Sequence, residues 1–557
     1  MKHLLVKKVL SAAVLLTLAF NVACSGGGNG NANGTSASHS NPQSSSNESN
    51  AEPVGKYNPP ITVTMGRDQL TNTTFPEGDS LDNNIWTRAL MDEYGIQIEN
   101  LWVTDSSQYW EKLNLTIASG DLPDIFQVRP AQLKELADAG MLADLTDVYE
   151  THATPLMKEK LNEDGGNGLQ SATIDGKLMG LPYVTAAIDS APMIWIRKDW
   201  LNNLGLSEPK SLSDIIEIAR AFKEDDPDQN GQDDTLGLGV TQNIFGAAGG
   251  LMGFFNGYHA YTNIWIEDPA SDGLVNGLIQ PEMKEALSQL QQMYKEGIID
   301  PEFSAKSGIG DDVIAGKLGM FYGTMSQPLN PLQQSKDKDP NAEWQYYPLL
   351  SIDNEPARPQ ISHNPPVYFV SSKDNENPAA IVKMMNLFAE KFFGETADTR
   401  FNYDNDHPSH KYQVVRTYGA RKNLNNYLNI KEAFETGSMD KLNPEQLEHY
   451  EQIKQYQAGE EGMWKYANIF GPEGSLSLVN DYIEKDLLYS DQYVGLPTDL
   501  MVDNSSILSD LAATTFTKII MGDSIDTFDA FVQDWKSLGG DDITAEVNEW
   551  YQSSKTE

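Results

Sequence analysis

From Ile61 the chain alternates apolar and polar positions in ITVTMGRD (61–68), the period-two signature of a half-buried strand. IWTRALMDEYG (85–95) switches to helical spacing and stops on a glycine, after which IQIENLWV (96–103) alternates again. YWEKLNLTIASGD predicts a helix ending near Gly120, and LPDIFQV predicts a further strand. Strands and helices trading places at this pitch predict βαβ units and a mostly parallel sheet. The rhythm restarts after Ala191 with a strand in PMIWIR and helices in KDWLNNLG and SLSDIIEIARAF. Further helices are predicted over 281–297, 378–392, 444–457 and 510–521. The pattern therefore reads as α/β in two lobes.

The N-terminus follows other rules. Lys2, Lys7 and Lys8 precede the apolar run VLSAAVLLTLAF (9–20), and NVACSGGG follows. A basic start, a short apolar core and a small-residue exit make a secretory signal, too short to span a bilayer comfortably. Cys24, the only cysteine in the chain, comes directly after Ala23. This resembles a bacterial lipoprotein lipobox, in which that cysteine is lipidated and becomes the first residue; Asn21 stands where leucine is usual. Residues 25–56 are rich in Gly, Asn and Ser, with almost no apolar content to build a core. As a tether of roughly 32 residues they would span on the order of 30 Å.

Composition narrows the partners. The chain has 557 residues, enough for two to four domains, and a net charge of −40. Loss of residues 1–23 takes three lysines and leaves −43. Such acidity argues against nucleic acid, which needs a basic surface, and against adsorption to an anionic membrane.

Five phrases carry a family resemblance in order along the body: ASGDLPDIFQV (118–128), IDGKLMGLPYVTAAIDSAPMIWIRKDWLNNLGL (174–206), YKEGIIDPEF (294–303), KIIMGD (518–523) and FVQDWKSLGGDDITAEVNEWY (531–551). The chain from about residue 58 onward resembles extracellular solute-binding proteins of the carbohydrate class. Within them it resembles the large lipoprotein branch of Gram-positive type, with a distant likeness to maltose-binding proteins. The resemblance implies a two-lobed periplasmic-binding-protein-like clamp whose chain crosses between lobes at a hinge. The crossings fall near 184–189, 361–369 and 497. The organisation then reads: signal 1–23, lipidated cysteine and tether 24–57, lobe one 58–186, lobe two 187–364 with a calcium loop, lobe one again 365–497, and lobe two 498–557. It also implies a monomer at the extracellular face of the membrane, attached by its lipid alone. Such a protein captures an oligosaccharide and hands it to the transmembrane subunits of an ABC permease.

FKEDDPDQNGQDDTLGLG (222–239) crowds acids and amides into one loop, where like charges repel unless a cation lies between them. Asp226, Asp228, Asn230, Gly231 and Asp234 match the first, third, fifth, sixth and ninth places of an EF-hand loop, and the Gln232 carbonyl falls at the seventh. The twelfth place holds Gly237 instead of the bidentate glutamate. The expectation is a structural Ca²⁺ site, of the single-loop kind the resemblance implies, with a carbonyl, Thr235 or water completing the shell. It would hold the end of the helix SLSDIIEIARAF.

A sugar site needs flat aromatic platforms and polar groups that hold several hydroxyls. Arg67 and Asp68 end the first strand, where open α/β folds bind ligands, and Gln127 and Arg129 end another. Tyr258 and Trp265 belong to FFNGYHAYTNIW, Tyr322 ends GMFYGTM, Asn364 lies at an expected crossing, and Trp464 and Tyr466 belong to GMWKYANIFGPEG. These ten form the candidate ligand set; Trp102 and Trp195, at strand period, read as core.

Catalytic motifs are missing. No Gly-x-Ser-x-Gly, P-loop or His-Glu-x-x-His occurs, and His407 and His410 lack a third zinc-ligand motif. The alternatives to an importer receptor are a surface-anchored enzyme acting on polysaccharide fragments and a sugar-presenting partner of a sensor kinase.

Overall fold

A computed structural model describes residues 55–404 and 407–555. The signal, Cys24 and nearly all of the 24–57 tether lie outside the described residues. Ile61–Gln69 pairs in parallel with Ile96–Asp105 and with Ile125–Val128. The sheet continues through Tyr368–Ser371, antiparallel to both its neighbours, to Leu181–Pro182. Alternation decides which side chains enter: Val63, Met65, Ile96 and Ile98 are buried while Thr62, Gln97 and Glu99 face water. Helix Tyr109–Ser119 stops at Gly120, whose φ of +79° suits a left-handed cap. Helix Ala379–Phe393 packs its apolar residues into the same core.

The second lobe is built differently from the parallel unit expected after Ala191. Met193–Arg197 is the centre of a three-stranded antiparallel sheet, flanked by Met320–Gly323 and Trp344–Tyr347. Its partners come from more than a hundred residues downstream, a pairing that the local rhythm does not encode. The sheet is buried on both faces. Ile194, Ile196, Met320 and Tyr322 pack with helices Leu212–Glu224, Pro281–Lys295 and Asp499–Ile520. Met193, Trp195 and Phe321 pack with Lys422–Thr436, Trp464–Phe470 and Ser475–Glu484.

The chain passes between cores at several places. Val184 belongs to the first core and Ile188 to the second; Ile361 and Tyr368 mark the return. A third passage falls between Ala420 and Leu424, and the chain meets the first core again at Leu496, between Tyr493 and Leu500 of the second, beside the position expected near 497. The segment 365–497 is thus divided: Tyr412, Val414 and Val415 pack in the first lobe, but Leu424, Tyr427 and Ile430 line one face of a helix against the second-lobe sheet. A short parallel pair, Gln360–Ile361 with Tyr489–Ser490, is formed next to the return crossing. Among the described residues no helix is long and apolar enough to cross a membrane.

Candidate functional site

The ends of Ile61–Gln69 and Ile125–Val128 open onto a cavity of about 310 Å³. A bulge between Met65 and Gly66 shifts the register there. Gly66 is required by contact: a Cβ would lie 2.2 Å from Cζ2 of Trp102 on the neighbouring strand. Alternation from Val63 and Met65 carries Arg67 inward, only 5% exposed. Its Nη2 donates to the carbonyls of Tyr412 at 2.6 Å and Gln413 at 3.4 Å, while Nη1 is buried with no partner. Burial pulls the guanidinium down to about 10, against Asp68 and Asp82, with Arg416 adding to the fall.

Asp68 accepts from the Ser106 hydroxyl at 2.6 Å. The backbone of Gln127 is fixed by the buried Tyr109 hydroxyl, which accepts its N–H at 3.0 Å and donates to its carbonyl at 3.1 Å. The opposite wall is the segment His410–Tyr418. His410 Nδ1 lies 3.0 Å from the Asn402 carbonyl, which assigns the neutral ring's proton to Nδ1, and burial lowers its pKa. Gln413 Oε1 is buried without a partner. Arg416 stands 5.0 Å over the ring of Tyr183, and Tyr183 and Tyr418 meet at 5.9 Å between centroids. Orphaned donors and acceptors beside aromatic walls form a recess ready for a polar ligand.

Of the ten candidates, Arg67, Asp68 and Gln127 meet here. Arg129 does not line the cavity; it is exposed, with its guanidinium 4.4 Å over Trp110. Four aromatic candidates are core. Tyr322 is 2% exposed on a strand buried on both faces, Tyr258 packs on Phe254, and Trp265 sits in the same cluster. Trp464 is buried under the second-lobe sheet, with Lys336 Nζ 5.6 Å from its ring. Asn364 is exposed at the crossing and reaches Asp491 at 3.3 Å. Tyr466 lines a separate cavity of about 610 Å³ with Tyr403, Glu445 and Glu448. The sequence reading missed Tyr183, His410, Lys411, Gln413, Arg416 and Tyr418; the aromatic and basic content of HKYQVVRTYG was the one available signal.

The acidic loop joins helix Leu212–Glu224 to residues 236–239, which bridge to Leu318 and Phe321. Asn230 Nδ2 lies between carboxylates, donating to Asp228 at 2.8 Å and Asp234 at 3.1 Å. Asp226 accepts the N–H groups of Asn230 at 3.1 Å and Gly231 at 3.0 Å. Burial, then the neighbouring Asp226 and Asp234 charges, raise Asp228. The donor set is oxygen only and suits Ca²⁺, with the Asn230 amide hydrogens standing where positive charge is wanted. Among the described residues no three acidic, His or Cys side chains form a ready metal cage. Gly237 admits no longer residue, since a Cβ would lie 2.4 Å from the Ala219 carbonyl oxygen. The Thr235 hydroxyl is committed to the Phe222 carbonyl at 2.7 Å, which ties the loop to the end of the helix.

With this geometry in hand, residues 72–394, more than half of the chain, match the bacterial extracellular solute-binding protein family, and the chain belongs to it. Lipoprotein LipO of Bacillus subtilis is 26% identical over 513 residues, covering 86% of this chain and 91% of that one. The polygalacturonan/rhamnogalacturonan-binding protein YtcQ of the same species is 28% identical over 252 residues, covering 44% and 48%. Among solved structures, Streptococcus pneumoniae FusA in complex with kestose aligns over 89% of this chain and 100% of its own, with a TM-score of 0.59 at 17% identity. That likeness concerns the two-lobed α/β fold.

Proposed function

We propose that this protein is a lipid-anchored, extracellular substrate-binding protein of an ABC importer, taking an oligosaccharide between its lobes by hinge closure and passing it to the permease. The observation that carries the reading is the cavity at the ends of the first-lobe strands. There a buried Arg67 N–H and the side-chain Oε1 of Gln413 lack partners beside the Tyr183 and Tyr418 rings. Such groups are costly to leave unpaired, and ring hydroxyls supply what they lack. Passages of chain between the lobes, among them 184–188, 361–368 and 420–424, give the hinge its strands. Cys24 would carry the lipid, the tether would give reach, and Ca²⁺ at Asp226, Asp228, Asn230, Asp234 and the Gln232 carbonyl would brace the second lobe away from the ligand.

The reading supposes binding without chemistry. Its test is thermal unfolding of the full chain in Ca²⁺ against a panel of plant and bacterial oligosaccharides, with each sugar assayed afterwards for change. A ligand at a hundred times its dissociation constant adds about 2.7 kcal/mol to the folded state, an easily measured shift. A raised midpoint with the sugar intact supports the receptor; a sugar that is consumed makes the protein an enzyme and overturns it.

A further inference from the structure

The cavity has an electrostatic imbalance that neutral sugars leave uncorrected. In a chain of net charge −40, its lining holds Arg67, Lys411 and Arg416 against a single carboxylate, Asp68. Among the described residues those three cations enter no ion pair, whereas nearby cations do: Arg88 with Asp79, Lys391 with Glu93, Arg400 with Asp398 and Lys422 with Glu445. The local carboxylates are engaged elsewhere. Asp68 holds Ser106, Asp79 holds Arg88, and Asp82 accepts from Asn100 at 2.6 Å. A buried guanidinium with an idle Nη1, facing a second arginine, is a costly arrangement unless an anion arrives between them.

We infer that the sugar unit seated in this cavity carries a carboxylate, so that the ligand is an acidic, uronate-bearing oligosaccharide. This deepens the receptor reading above and rests on it. The carboxylate accepts from Arg67 Nη1 and from Arg416, a charge-assisted pairing stronger than any hydroxyl could make there. Tyr183 and Tyr418 bound the cavity with apolar surface for the C–H face of the ring, and Asp68 and Gln127 remain for its hydroxyls. Arg67 is held through Nη2 by the Tyr412 and Gln413 carbonyls, which fixes the guanidinium at the cavity wall.

Calorimetric titration of the full chain at low salt tests this. The probes are oligogalacturonates, alginate oligosaccharides and glucuronate-substituted xylo-oligosaccharides, each beside its carboxyl-reduced counterpart. The expected result is that at least one acid binds and its reduced form binds at least tenfold more weakly. Arg416→Gln, at a half-buried position, should then cost the acid tenfold or more and the reduced form less than threefold. Arg67→Gln is a weaker test, because it also releases the Tyr412 and Gln413 carbonyls. If reduced or neutral sugars bind as tightly as the acids, or Arg416→Gln weakens both alike, the carboxylate inference is overturned and the receptor stands. If no oligosaccharide of either kind binds, the receptor reading falls with it.

Discussion

Asp189 lies on the first crossing between the lobes, in the short turn Ala187–Ser190. Its Oδ2 accepts from Asn423 at 2.5 Å, within the third crossing, and its Oδ1 is buried without a partner. Burial pushes this carboxyl up from 3.8 to about 7, with the Asn423 bond and Lys422 pulling the other way. Between those two values the folded chain keeps the proton and the unfolded chain has released it. Unfolding therefore sheds a proton, and stability falls as pH rises from about 4 to about 7, then levels. At about 1.36 kcal/mol per pH unit the interval is worth about 4 kcal/mol as an upper figure. Partial solvent access to this half-buried residue brings it to about 2–4 kcal/mol.

Asp189→Asn removes the titration while keeping a carbonyl for Asn423. Its amide nitrogen meets the same unpaired surroundings at every pH, so that cost is a constant offset. Urea unfolding of wild type and variant, from pH 4.5 to 8.5, should give a stability difference that moves in favour of the variant by about 2–4 kcal/mol towards neutral pH and is flat above it. Other carboxyl groups cancel in the difference. A difference that stays constant within about 0.5 kcal/mol across the range would refute the claim that burial at the crossing keeps this carboxyl protonated.

Gly66→Ala forces a methyl group onto Trp102 and should cost about 1–3 kcal/mol in a denaturant midpoint, with weaker ligand binding because Arg67 is the next residue. Tyr322→Phe should leave ligand affinity within about twofold, while Tyr322→Ala should lower stability by about 3–5 kcal/mol, as expected of a core ring. Adding Ca²⁺ to chelator-treated protein should raise the thermal midpoint, and Asp226→Ala should abolish that response; an unchanged midpoint in wild type would remove the calcium proposal.

The sequence disclosed what is local. Ile61–Gln69, Ile96–Asp105 and Ile125–Val128 are legible because alternation and glycine stops are written within a few residues of each strand. Arg67, Asp68 and Gln127 could be chosen from their place at strand ends. Tyr258, Trp265, Tyr322 and Trp464 misled because an aromatic in a turn-rich phrase looks the same whether it faces a cleft or a core. Only the pairing of Met193–Arg197 with strands more than a hundred residues away decides that Tyr322 points inward. The third crossing was hidden for a related reason. Leu424, Tyr427 and Ile430 have the same helical spacing whichever sheet they cover.

The division of labour within the site follows from the same topology. On the proposed reading, strand ends fix where a ligand sits: strand alternation aims Arg67, and Tyr109 fixes the backbone of Gln127. The returning segment, 345 residues further along, supplies the Tyr412 carbonyl that holds Arg67 and the His410, Gln413 and Arg416 side chains around it. That segment lies between the end of one core and the start of another helix; its polar side chains face the cavity while Tyr412 and Val415 fill the core, and Val414 touches both. Position is thus set by residues whose replacement disturbs the sheet, and ligand chemistry largely by residues that can change without disturbing it. On the proposed reading, a scaffold so arranged keeps its fold while the charge and hydroxyl pattern of its ligand varies, because the polar side chains of 410–418 face the cavity beside a buried Arg67.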